Sequence, residues 1–260
     1  AKALTEACQG ADAAVWCVSG GAGGGPLEQA GFLLESWLNL QSAEERGLIA
    51  LGNAFAPAAT GDGAPQVVMV SSAAVTRPSW TEEKKQRLAG CADIPIVRLN
   101  PFGILDKKRR AEDLLRESGA CYTVLRPVGL NDQHPPGRPI LAQGDVAVGR
   151  ISRADLASLI VRLLSEPEAS GKTFETLAIA GYPKPTDYAK SLATLRRDDS
   201  PLPLDEAQVA ATYDLLQQLL PGEQQDSAAL AMGQSYEQYD KGVEGRLGPR
   251  GEERVPERVA

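Results

Sequence analysis

The 260-residue chain contains one histidine, His134, and four cysteines with no CxxC pair among them. A Ser–His–Asp catalytic set or a multi-histidine metal centre therefore lacks material. A structural zinc, which draws its ligands from close-spaced pairs, is not expected either. Aromatic residues are 5% of the sequence, too few for a surface that stacks several bases. The formal charge is −7 and the isoelectric point about 5.0, which opposes a dominant phosphate-binding surface, so nucleic acid is not an expected partner. No apolar run reaches the roughly 18 residues needed to span a bilayer, which leaves at most a peripheral association with membranes. The sequence opens on Ala1 with no signal or transit segment, as expected of a processed mature form or a fragment.

The remainder is ordinary globular material, 43% hydrophobic and 23% charged. Apolar runs alternate with helical patterns, the signature of a parallel α/β sheet. The run 13–18, closed by Ser19, Gly20 and Gly21, reads as a strand buried on both faces. A helical stretch over 32–51 follows, then a strand over 66–70 that ends at Ser71 and Ser72. Residues 77–88 are charged and read as an exposed loop or short helix. The stretch 106–118 is a helix carrying Lys107, Lys108, Arg109 and Arg110, with Ala111, Leu114 and Leu115 as its apolar stripe and Gly119 as its stop. A strand over 121–125 halts at Arg126 and Pro127, a helix covers 152–165, and a short strand covers 173–177. Between them, 132–139 reads as a loop with His134 exposed.

The character changes after Gly181. Residues 1–180 form the main domain and 181–235 a helical extension, whose amphipathic helix over 205–220 has Asp205 and Gln208 placed as a capping pair. Residues 236–260 form a polar tail, or an arm that docks on a protein partner through Tyr236, Tyr239 and Leu247. Cys17 and Cys121 lie in strand-like runs, and the thiols are read as reduced and buried. Trp16, Trp37 and Trp80 are read as core or rim.

The glycine run 19–25 stands between a strand and a helix, where backbone N–H groups can meet a pyrophosphate. Its spacing is not G-x-G-x-x-G, so a plain loop remains the alternative reading. Ser71 and Ser72 end a strand at the carboxyl edge where open α/β sheets bind ligands, although serines also simply terminate strands. Lys108 and its basic neighbours fit a cofactor-facing cation or a solvated helix face.

Three segments carry a family resemblance: 67–72, the stretch 100–112 reading NPFGILDKKRRAE, and 118–130 reading SGACYTVLRPVGL. Together with 151–157, they resemble the atypical branch of the short-chain dehydrogenase/reductases. The likeness is strongest toward plastid members, among them the dehydrogenase-like domain of an inner-envelope translocon component. The resemblance implies a Rossmann-like doubly wound parallel sheet, an NAD or NADP cofactor and a chloroplast location, in the stroma or at a membrane. It implies cofactor contacts from Ser19, Gly20, Ser71, Ser72, Lys108, Pro127, Val128, Gly129 and Leu130, and places Lys108 and Ser72 in the catalytic set.

Two departures qualify it. The family's tyrosine stands four residues before its lysine, and Ile104 occupies that position here, with Phe102 the nearest ring. An isoleucine has no proton to transfer, so weak or absent reductase turnover is expected, or a proton donor other than tyrosine, such as Ser72 or water. The resemblance also makes 15–19 the fourth strand of the sheet. The first βαβαβ half, with the dinucleotide fingerprint and the ribose-reading acid, is therefore expected upstream, or a partner covers the open edge. A scaffold or assembly role in a larger complex is the alternative.

Overall fold

Val67, Val68 and Met69 are fully buried, as a continuous apolar run must be when strands flank it and helices cover both faces. The computed structural model describes residues 2–18, 41–56, 63–92, 94–100 and 103–219. Its strands are β1 (Ala14–Trp16), β2 (Val67–Val70), β3 (Tyr122–Pro127), β4 (Gly129–Leu130), β5 (Gly137–Ala142), β6 (Arg150–Ile151) and β7 (Lys172–Ala180). The main sheet runs β1-β2-β3-β7-β5. The first four of these are parallel, and β5 lies antiparallel to β7 at the edge. β4 and β6 form a separate two-stranded parallel ladder.

The helices are α1 (Lys2–Ala7), α2 (Ala43–Phe55), α3 (Glu82–Arg87), α4 (Ala89–Ala92), α5 (Pro95–Leu99), α6 (Ile104–Glu117), α7 (Arg153–Leu163), α8 (Ala189–Ala193) and α9 (Glu206–Leu219). Local chemistry fixes their ends. Ser42 and Glu45 form a reciprocal capping box on α2. The Ser152 hydroxyl accepts the Asp155 N–H at 3.0 Å to start α7. Gly119, at φ +79°, ends the turn after α6 in a left-handed conformation that favours glycine.

Side-chain alternation divides the core. Val67, Met69, Tyr122 and Val124 face Leu48, Leu51 and Phe55 of α2 and Ala111 and Leu115 of α6. Val68, Leu125 and Phe174 belong to the opposite layer, with Leu156 and Leu159 of α7, Leu192 of α8 and Val209 and Leu216 of α9. This is the period-two alternation of a strand, and each fully buried Leu or Phe contributes about 1.5–3 kcal/mol.

Several expectations need correcting. The strand expected to be buried on both faces is only Ala14–Trp16, with Val15 39% exposed, because among the described residues β1 pairs with β2 alone. Cys17 is exposed rather than buried, while Cys91 and Cys121 are buried. The charged stretch 77–88 begins with Arg77 completely buried. In the 132–139 loop, Gly137 to Pro139 already belong to β5. His134 there is half-buried, with Nε2 3.1 Å from the Ala178 carbonyl. The helix expected over 32–51 is described only as α2, since 32–40 lie outside the described residues. The 236–260 arm also lies outside them. No helix of the described residues is long and apolar enough to cross a membrane.

Candidate functional site

The carboxyl ends of β2 and β3 meet at one ledge. The ladder continues past β2, with Ser71 N–H on Leu125 O at 2.8 Å and Ala73 N–H on Pro127 O at 2.9 Å. Val128 N–H reaches Thr176 O at 3.1 Å, after which Gly129 and Leu130 pair with Arg150 and Ile151. The fold thus brings Ser71, Ser72, Pro127 and Val128 together, with half-buried Gly129 and Leu130 beside them. Ser72 is half-buried, and its Oγ donates to the Ala73 carbonyl at 2.8 Å. Ser19 and Gly20 lie outside the described residues.

Ser71 is buried, and its Oγ donates to Glu112 Oε1 at 2.6 Å. Glu112, on the inner face of α6, is fully buried between two guanidinium groups. Arg126 Nε and Nη2 bind its two oxygens at 2.9 and 2.6 Å, and Arg116 Nη2 adds a contact at 3.0 Å. Burial alone would push the Glu112 carboxyl up. Arg126, Arg116 and the Ser71 hydroxyl outweigh it and hold the group below the usual carboxylate range. A bidentate pair of this kind fixes the end of β3 against α6.

Lys108 lies one turn before Glu112 but turns toward α2. Its Nζ is 3.0 Å from Glu44 Oε1, with both side chains buried. Burial raises the Glu44 carboxyl, and Lys108 partly offsets that. Ile104, the residue at the tyrosine position, is half-buried at the first turn of α6. Gly103, at φ +65°, caps this helix, and the Asn100 side-chain oxygen accepts the Leu105 N–H at 3.0 Å.

Sequence reasoning missed a second polar centre. Asp145, 2% exposed, accepts Ala74 N–H at 2.6 Å, Thr76 N–H at 2.7 Å and the Thr76 hydroxyl at 2.7 Å. Arg77 donates to the carbonyls of Asp145, Cys91 and Ala147, each at 2.7 Å. Together they pin the loop after β2, including Ala74 at φ +78°, to the segment after β5. Glu175 on β7 accepts Val146 N–H at 3.0 Å. Its carboxyl is pushed up to about 7, mainly by burial and further by Asp145, against Arg126 and Arg77. The available signal was a charge inside an apolar run, at Arg126 and Glu175, but partners about 70 residues apart in sequence leave no local pattern.

A mainly parallel sheet with helices on both faces and a ligand ledge at the strand carboxyl ends defines a Rossmann-type α/β protein. Residues 1–167 match the NAD(P)H-binding family, and the chain belongs to it, as a protein of the atypical short-chain dehydrogenase/reductase type with NAD(P) as its cofactor. It is 39% identical over 88 residues to an uncharacterized chloroplastic protein of Arabidopsis thaliana, covering 33% of this chain and 31% of the relative. It is 31% identical over 158 residues to a second such protein, covering 51% and 48%. Similarity to sanguinarine reductase of Eschscholzia californica is 39% over 96 residues, covering 34% of each chain. The chain thus spans at most about half the length of these relatives, 48% in the longest match. A putative NAD-dependent epimerase/dehydratase from Bacillus halodurans shares the fold, with TM-score 0.50, 22% identity and coverage of 74% of this chain and 73% of that one.

Proposed function

We propose that the protein binds NAD(P) across the ledge at Ser71, Ser72 and Pro127 to Leu130, and has little or no turnover by the usual short-chain dehydrogenase route. The residues present fit the nicotinamide end of the cofactor. Ser72 offers a half-exposed hydroxyl, and Gly129 and Leu130 offer half-exposed backbone, where open sheets bind ligands. When bound, the nicotinamide ring supplies or accepts a hydride.

The observation that carries the reading is the pairing around Lys108. In the usual route a lysine ammonium depresses the pKa of a neighbouring phenol, which passes a proton to or from the substrate. Here Ile104 stands where the phenol would be, and the ammonium is held by Glu44. Lys108 then joins α6 to α2, and Ser72 remains the hydroxyl at the ledge. The test is nucleotide titration of the protein, followed by NADPH oxidation with quinone and carbonyl substrates. Saturable binding with near-background oxidation is expected. Strong oxidation that disappears in Lys108→Ala or Lys108→Met would overturn the reading.

A second reading is a subunit of a larger plastid complex. β1 pairs on one side only among the described residues, and Val15 and Val18 are exposed there. The chloroplastic names of the relatives support a plastid location. Pull-down from plastid extract, with and without residues 236–260, tests it, and an unchanged monomer in both arms counts against it.

A further inference from the structure

On the α6 side of the sheet, helices cover β2 and β3, but β7 is bordered there by a cleft of about 530 Å3. Its floor is unusual for an α/β core. Arg126 and Glu175 are register partners on β3 and β7, and both are buried, as is Glu112 behind them. Burying such ionisable groups is costly, where an apolar pair would fill the same space without that cost. Trp80, Lys84, Arg109, Arg196, Leu204 and Val209 are among the residues lining the cleft.

The charges are not balanced. Six cationic and four acidic side chains line the cleft, in a chain whose formal charge is −7. All four acids already have partners: Asp145 accepts the Ala74 and Thr76 N–H groups, Glu175 the Val146 N–H, Asp198 pairs with Arg116, and Glu206 with Lys84 and Arg87. Two of the cations have neutral partners only. Arg109 Nη1 donates to the Ser79 hydroxyl at 2.9 Å, and Arg196 Nη1 donates to the carbonyls of Leu202 and Pro203. Neither has a carboxylate partner among the described residues. Two guanidinium groups with uncompensated charge thus face one cleft beside an indole and aliphatic side chains.

We propose that this cleft binds a small organic anion, a carboxylate on a flat apolar body. Arg109 and Arg196 take the carboxylate, since the guanidinium fork matches its two oxygens, and Trp80 with Leu204 lies against the body. The chain Ser71–Glu112–Arg126 joins the cleft floor to the cofactor ledge, but ligand binding here requires neither cofactor nor turnover.

Calorimetric titration of the protein without nucleotide tests this, with naphthalene-2-carboxylate, naphthalene-2-carboxamide and inorganic phosphate as probes. The carboxylate should saturate at submillimolar concentration, with the amide and phosphate at least tenfold weaker. Arg109→Gln should weaken the carboxylate about tenfold and Arg109→Lys less, while Arg162→Gln, outside the cleft, should leave it unchanged. All three variants alter exposed residues, and circular dichroism checks their folding. Absence of saturable binding, equal binding of acid and amide, or equal losses in Arg109→Gln and Arg162→Gln would overturn the proposal.

Discussion

The environment of Glu175 strongly alters its chemistry. Its carboxyl is pushed up to about 7, from an ordinary 4.5, mainly because burial opposes its charge. A raised acid pKa in the folded state gives a contribution to stability that is complete below about 4.5 and is lost as pH rises through about 7. Glu175→Gln keeps an oxygen to accept the Val146 N–H and carries no charge at any pH. The melting temperature of the variant relative to the parent should therefore rise between pH 5 and pH 8, by at least about 2 °C. A difference that is flat with pH would show that Glu175 titrates normally. The thiols give a second prediction at this scale. Cys91 is fully buried and pushed up to about 11, and Cys121 is 7% exposed, whereas Cys17 is open to solvent. Iodoacetamide at neutral pH should label Cys17 well ahead of Cys91 and Cys121, because Cys17 alone of the three is open to the reagent and the Cys91 thiol is in addition held in its unreactive protonated form. Early labelling of Cys91, read by peptide mass spectrometry, would contradict the packing around Arg77.

Among the elements, the loop after β2 depends on one carboxylate. Asp145→Asn leaves one oxygen and places an amide N–H₂ against backbone and hydroxyl donors. It should cost about 2–3 kcal/mol, since buried donors lose their acceptor. Arg77→Lys should cost a similar amount, because an ammonium cannot reproduce the planar fork that reaches three carbonyls. Urea unfolding measures both, and a loss below about 0.5 kcal/mol in either would mean the clamp is dispensable. The same loop shows what local pattern can and cannot reveal. β2, β3, α6 and α7 are legible because their apolar spacing is set by one helix face or one strand face. β5 is not, since Gly137 and Pro139 read as loop residues, and only pairing with β7 at the sheet edge makes a strand of them. At the site, Ser71, Ser72 and Pro127 stand out as strand-end punctuation, and the fold does bring them together. The carboxylates that hold the neighbouring arginines are invisible to a local reading, since Glu112 meets Arg126 only across a helix and a strand.

At the scale of the molecule, one sheet edge and one terminal helix behave differently. Among the described residues the sheet ends at β5 in a strand bearing Pro139, a residue that blunts pairing with other chains. α9 closes over the core through Val209 and Leu216, and Glu206 at its start binds Lys84 and Arg87 of the α3 region. Among the described residues the β1 edge has no such device. Val15 is 39% and Val18 54% exposed, and among the described residues the strand pairs only with β2. An unpaired strand edge flanked by exposed apolar residues templates pairing with other chains, whereas a lysine beside it opposes that through charge and desolvation. Val18→Lys should therefore reduce self-association, seen as a smaller hydrodynamic radius at high concentration in light scattering. Because Val18 is exposed, folding stability should change by no more than about 0.5 kcal/mol. If the radius of the variant follows that of the parent at every concentration, the β1 edge is not the contact. If the variant instead loses stability by several times that amount, Val18 is covered in the folded protein, and pairing at β1 belongs to its native structure.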